Sequence, residues 1–449
     1  MAAQYRFPDN FFWGAATSAH QIEGSPLADG AGPSHWHVFA QEPGRIANGD
    51  TAEIACDHYR RYGEDVELMR RMGLKAYRFS VAWGRVFPEG RGRLNQKGLD
   101  FYLKLVDALL DVGIEPFLTL YHWDLPAALE TQGGWANRDC ADWFADYAQT
   151  LYRALEGRVR YWTTLNEPWV VVHEGYVKGT HAPGKVSLRE APQATHNLLR
   201  GHALAVQAFR ADGKGEIGLV VNLEPKYSAS EERADREAAN RAHVYMNQQY
   251  LDPVLLGSYP EEMAELFGSH WPQFPPEDLR LLREPFDFLG INYYSRSVNR
   301  AEPAEALTGA APVRQAAEYT EMGWEVYPDG LREVLAWVKR RYGEIPLYVT
   351  ENGAAFADPR PVGGRIDDPR RIDYLRTHLR AAHAAIAAGV DLRGYFAWSL
   401  LDNFEWSFGY SKRFGLVHVD PDTLVRTPKS SADFYREVIQ SAGEVLQKD

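Results

Sequence analysis

Eight strand-like apolar runs alternate with helix-period segments along this 449-residue chain, and the alternation predicts a closed (β/α)8 TIM barrel with long loops at its carboxyl-end face. Two further observations agree. No Gly-x-Gly-x-x-Gly turn follows the first run, which argues against an open dinucleotide-binding sheet. Two carboxylate motifs, Asn166-Glu167-Pro168 and Thr350-Glu351-Asn352-Gly353, each stand directly after an apolar run, at the strand ends where such barrels assemble their sites. Length alone suggests about three domains. A barrel with long loops also reaches this size, and no linker divides the chain, so residues 1–449 read as one domain.

The strand-like runs fall at 11–19, 76–83, 115–123, 159–165, 217–222, 286–294, 347–350 and 394–401. The clearest helical segment is 96–112, with Leu99, Tyr102, Leu103, Val106, Leu109 and Leu110 on one face, Asn95 as N-cap and Gly113 as the stop. A second, 60–72, ends likewise at Gly73. Further helices are expected at 139–155, 188–210, 233–250, 331–342 and 369–388. The segments 24–50, 295–322 and 357–365 are too long for simple connections and are expected around the pocket at the carboxyl-end rim.

Composition narrows the function. Asp and Glu number 61 against 49 Lys and Arg, a formal net charge of -12, and no basic block is present, so nucleic acid is not an expected partner. Two cysteines, Cys56 and Cys140, form neither a disulfide framework nor a multi-cysteine zinc site and read as buried thiols in a reducing compartment. The amino-terminal residues lack the apolar stretch of a signal peptide, and no segment approaches the roughly 20 apolar residues of a membrane helix. The expected location is the cytoplasm. With 13 Trp and 24 Tyr, many just after strand-like runs, the chain has rings to stack on sugars or to pack under loops.

Two carboxylates facing one cavity can divide the cleavage of a glycosidic bond, one protonated as acid and the other ionised as base or nucleophile. The motifs become specific when read together. TLNEP at 164–168, VTENG at 349–353 and FFWGAATSAHQIEG at 11–24 resemble the β-glucosidases of glycoside hydrolase family one. So do YRFSVAW from Tyr77, YHWDLP from Tyr121, GINYYS from Gly290, GWEVYPDGL from Gly323 and the long run from Tyr395, in family order along the whole chain.

The resemblance implies that Glu167 is the acid/base, Glu351 the nucleophile and Arg78 its cationic partner, with Asn292 and Tyr294 in support. It places the sugar among Gln21, His122, Trp123, Asn166, Tyr294, Glu405, Trp406 and Phe414, over Trp398 as floor, with Asn166 on the 2-hydroxyl. Trp169, His173, Glu174, Trp324 and the 295–322 segment are expected to frame the aglycone side. Glu405 stands where 6-phospho-β-glycosidases carry Ser, and Phe414 replaces their Tyr, although Lys412 would fit the phosphate pattern; like-charge repulsion from Glu405 argues for an unphosphorylated hexose. No cofactor and no metal are expected, since neither His122 nor His35-Trp36-His37 has zinc-like companions. The expected activity is a retaining exo-β-glucosidase acting on cello-oligosaccharides and small β-glucosides, with side activity on β-galactosides and β-fucosides. A 6-phospho-β-glucosidase and a non-catalytic carbohydrate-binding barrel are the rivals. No motif speaks to oligomeric state.

Overall fold

In the computed structural model, which describes residues 5–447, eight parallel strands close into a barrel. They are β1 (Phe12–Ala16), β2 (Ala76–Ser80), β3 (Glu115–Tyr121), β4 (Tyr161–Asn166), β5 (Glu216–Asn222), β6 (Phe288–Asn292), β7 (Leu347–Asn352) and β8 (Leu392–Trp398). Each strand pairs with its neighbour in sequence, and β1 closes the ring by pairing with β8 from Phe12↔Gly394 to Ala16↔Trp398. All eight sequence runs coincide with these strands. Their near-continuous burial follows from being covered on both faces, by helices outside and by packed rings within.

The interior is aromatic: Phe117 and Tyr161 stack at 4.3 Å, and Phe12, Phe288, Tyr348 and Phe396 crowd around them. This fills the barrel's lower half and leaves only the carboxyl end open for a site. Outside, the helices are α1 (His58–Arg71), α2 (Gln96–Asp111), α3 (Cys140–Ala154), α4 (Ala191–Asp212), α5 (Arg233–His243), α6 (Pro328–Tyr342), α7 (Pro369–Ala387) and α8 (Ser430–Gln440). The glycine stops are as expected. Gly113 and Gly73 adopt φ of 75°, and the Schellman pairs Gly113 N–H to Leu110 O, Ile114 N–H to Leu109 O, Gly73 N–H to Arg70 O and Leu74 N–H to Met69 O close α2 and α1.

Four details differ from the sequence reading. Asn95 sits at the cap position but donates its amide to Arg85 O at 2.9 Å instead of capping α2. Leu110 is 40% exposed while Phe101 and Leu105 are buried, so the buried face of α2 is turned from the expected one. The segment expected to be helical to 250 ends as α-helix at His243 and continues as a π-turn, Val244–Gln248. Finally α8 was not anticipated, although Ala432, Phe434, Tyr435, Val438 and Ile439 carry a helical pattern.

The long connections build the rim. The 24–50 segment carries a short helix, His35–Ala40, and meets the chain after β3 through a Ser34↔Pro126 bridge. The 295–322 segment supplies Ser297–Ala301 and Ala310–Pro312 to a small three-stranded sheet with Lys226–Ser228. The 357–365 segment follows the carboxyl end of β7 and anchors itself through Asp358, which binds Arg371 at 2.8 Å and Lys429 at 2.6 Å. Among the described residues no helix is long and apolar enough to cross a membrane.

Candidate active site

The site is built from strand ends. Arg78 points inward from β2 and is 1% exposed. Its Nη1 donates to Glu351 Oε1 at 2.5 Å, and its Nη2 donates to Asn166 Oδ1 at 2.7 Å. One guanidinium thus ties the ends of β2, β4 and β7 together. Tyr294 OH donates to the other oxygen of Glu351 at 2.7 Å. Glu167 accepts from Asn292 Nδ2 at 2.7 Å, and Thr350 Oγ1 fixes that amide by donating to Asn292 Oδ1 at 2.7 Å.

Both motif strands lose their regular register just before these residues. β4 slips against β5 between Thr163 and Asn166, and β7 slips against its two neighbours after Val349. Such irregularities re-aim side chains, turning residues that strict alternation would have sent elsewhere into the cavity. Gly353 completes the second motif for a packing reason: a Cβ there would lie 1.7 Å from Trp398 O. Trp123, Glu167 and Trp406 hold φ of 77°, 45° and 48°, left-handed conformations that cost non-glycine residues about 1–3 kcal/mol each.

The two carboxyls are electrostatically unequal. Burial raises Glu351, but the adjacent Arg78 charge and the Tyr294 and Arg78 donors oppose the rise. Burial and the negative charge of Glu351 push Glu167 up to about 8, against the amide of Asn292 and the more distant pull of Arg78. The first proton available to the pair therefore belongs on Glu167. A proton donor and an ionised carboxylate in one cavity can together perform acid-assisted displacement at an acetal carbon.

Around the pair, Asn166 Nδ2 meets His122 Nε2 at 3.1 Å, and Trp123 Nε1 donates to Asn166 O at 2.9 Å. Desolvation holds His122 well below the ordinary imidazole value, so it is neutral. Its ring lies nearly parallel to those of Trp398 and Trp406, at 5.9 and 6.1 Å. Gln21 is clamped by Ser18, Asn403 and Phe404 O, and its amide reaches Glu405 Oε2 at 3.4 Å. Phe414 and Trp324 close on Tyr294 at 6.1 and 5.1 Å.

Residues 3–444 match the family described as Glycosyl hydrolase family 1. The chain belongs to that family. Beta-glucosidase A of Thermotoga maritima is 49% identical over 440 residues, 98% of each chain. The 1,4-beta-D-glucan glucohydrolase of Thermotoga neapolitana is 48% identical over 440 residues, 98% of this chain and 99% of that one. A solved structure of the T. maritima β-glucosidase in complex with glucoimidazole superposes with a TM-score of 0.95 at 49% identity, covering 98% of this chain and 100% of that one.

In this family 1 hydrolase the residues expected around the sugar are joined by hydrogen bonds and ring contacts at the carboxyl end of the barrel, and the aglycone set divides. Trp169, His173 and Trp324 line a cavity of about 680 Å3 together with Lys226, Tyr245 and Arg296. Glu174 does not line it; its carboxylate is taken by the Thr180 hydroxyl on its own segment. Tyr245 and Lys226 lie outside every motif and carry no sequence signal, whereas Arg296 belongs to the 295–322 segment, which lines this cavity as expected. Thr350 was missed as a positioning group although it adjoins Glu351. The expected charge argument at Glu405 also changes. Burial and the charge of Glu351 push Glu405 up to about 8, so a fixed repelling carboxylate is not what opposes a sugar phosphate. Lys412, which would fit the phosphate pattern, places its Nζ 5.7 Å over the ring of Phe408.

A raised carboxyl pKa has a stability consequence. Between the unfolded value near 4.3 and the folded value near 8, the native state holds a proton that the unfolded state has released, so Glu167 costs stability as pH rises through that window. Glu167→Gln removes the cost. Its melting temperature should exceed the parent's by about 2 °C or more at pH 8, with the gap closing towards pH 4.5, as read by calorimetry at one scan rate. A gap that stays constant with pH would mean that Glu167 titrates alike in both states.

Proposed function

We propose that the whole chain is one catalytic unit, a retaining β-glucosidase that removes non-reducing terminal β-D-glucosyl residues by double displacement. The observation that carries this reading is the asymmetry of the two carboxyls: Glu351 takes a guanidinium and a phenol, whereas Glu167 takes one amide and is held protonated. Glu351 attacks the anomeric carbon while Glu167 protonates the departing oxygen. Glu167, now ionised, then deprotonates the water that releases the sugar. Asn166, held by Arg78 and His122, binds the 2-hydroxyl, a contact that strengthens as positive charge develops at the anomeric centre.

Trp398 is the floor under the sugar, and Gln21, Glu405 and Trp406 receive its outer hydroxyls. Trp406 is backed by Trp36 at 4.6 Å and Trp123 at 4.5 Å, a closed aromatic wall that suits an exo-acting pocket. The large cavity beside Trp169 and Trp324 suits the remaining units of a cello-oligosaccharide or an aryl aglycone. β-Galactosides differ from glucosides in the orientation of the 4-hydroxyl and β-fucosides lack the 6-hydroxyl as well, and both are read as secondary substrates. Glu405, at the position where 6-phospho-β-glycosidases carry Ser, disfavours a 6-phosphate, and the retained carboxyl pair disfavours a purely binding role. Two buried free thiols suit a reducing compartment, and the cytoplasm is the proposed location.

Three experiments test these assignments. A 2-deoxy-2-fluoro-β-glucoside should trap a glycosyl ester, and peptide mapping should find it on Glu351; label on any other residue refutes the nucleophile. Glu167→Ala should slow substrates with poor leaving groups far more than activated phenyl glucosides, and azide should yield β-glucosyl azide. Equal losses without azide product would remove Glu167 as acid/base. Because shortening Glu405 loses a hydrogen bond and leaves buried pocket partners unsatisfied, which costs about 1–3 kcal/mol, Glu405→Ser should lower kcat/KM for β-glucosides by roughly tenfold. The ratio of 6-phosphoglucoside to glucoside activity should rise in the same variant. No change in either quantity would place Glu405 away from the sugar.

A further inference from the structure

His35 lies outside the machinery described so far, yet it touches it. The 24–50 segment docks antiparallel on the chain after β3: His35 N–H donates to Leu125 O at 2.7 Å, and Ala127 N–H donates to Pro33 O at 2.9 Å. This seats the His35 ring, 5% exposed, against the backbone of Trp123, with Nε2 2.6 Å from Trp123 O. A carbonyl only accepts, so Nε2 carries the hydrogen. Nδ1 then faces Glu130 Oε2 at 3.6 Å, and the other oxygen of Glu130 is bound by Lys185 Nζ at 3.0 Å. Burial opposes ionisation of Glu130, but His35 and Lys185 outweigh it and hold the group below the usual carboxylate range.

Trp123 needs such a hold. Its backbone is left-handed, at φ 77°, and its indole Nε1 is the donor to Asn166 O at 2.9 Å. A carbonyl gripped at 2.6 Å on one side and an indole engaged at 2.9 Å on the other fix this residue between the rim and the end of β4. We propose that His35 is a positioning residue for catalysis: the imidazole fixes Trp123, and Trp123 sets Asn166 for the 2-hydroxyl of the sugar. The inference rests on the reading that Asn166 holds that hydroxyl.

The test uses aryl β-glucosides with and without the 2-hydroxyl. His35→Leu removes the donor, whereas His35→Gln can present an amide N–H near the position of Nε2. His35→Leu should lower kcat/KM on the glucoside by about tenfold, mainly in kcat, because the 2-hydroxyl contact tightens in the transition state. The 2-deoxy-glucoside should lose less than about twofold, and His35→Gln should restore the glucoside rate to within about twofold of the parent. Should Leu at this position fail to fold, His35→Phe carries the test: it keeps a ring without the Nε2 donor, and kcat on the glucoside should fall by about tenfold relative to His35→Gln, with the 2-deoxy substrate spared. Equal losses on both substrates, or no loss in His35→Leu or His35→Phe, overturns the inference. Asn166→Ala separates the two layers. If it too loses both substrates equally, the 2-hydroxyl reading falls and the inference with it; if it spares the 2-deoxy substrate while the His35 variants stay inert, only the inference falls.

Discussion

Three buried carboxyls, Glu167, Glu351 and Glu405, stand at the open end of this barrel, and one buried guanidinium, Arg78, binds one of them. Arg78 can neutralise one of Glu167, Glu351 and Glu405, and its geometry chooses Glu351. Ionising all three in a desolvated pocket would leave two uncompensated charges, each costing several kcal/mol, so protons remain on the others. The proposed chemistry follows from that shortage of positive charge: an ionised nucleophile beside a protonated acid exists because the pocket is under-supplied with cations. The same Arg78 binds Asn166, so the charge that sets the protonation pattern also sets the geometry of the acid's neighbour.

Holding such a site is costly to the fold. Three left-handed residues, two carboxyls raised to about 8 and a buried arginine persist because packed rings and fixed amides surround them. The aromatic fill of the lower barrel and the tryptophan wall of Trp36, Trp123 and Trp406 supply that rigidity without adding charge. Rigid strand ends carry the chemistry, while rim segments such as 24–50 press on them from outside.

Much of this was legible in the chain. The eight strands, seven of the helices and the glycine stops follow from apolar periodicity and backbone sterics, which are local properties. The helix α8 carried the same signal and was readable. The motif glutamates were legible because they stand directly after apolar runs, whereas Arg78, inside its run, was read only from the family resemblance. The buried face of α2 was not legible, since which of several apolar residues faces inward depends on the surface it packs against.

The sequence by itself determined the barrel, the chemical inventory of its open end and the family to which it belongs, since composition, periodicity and contiguous motifs are properties of neighbours in the chain. Only the tertiary structure decided which way those groups point. The register slips in β4 and β7 that aim Asn166 and Glu351 inward depend on pairing with β5, β6 and β8, and the approach of Gly353 to Trp398 O needs both strand ends in place. The division of protons among Glu167, Glu351 and Glu405 likewise requires the distances to Arg78 and to one another. Electrostatic coupling and strand register are long-range, and residues up to several hundred positions apart must meet before either exists.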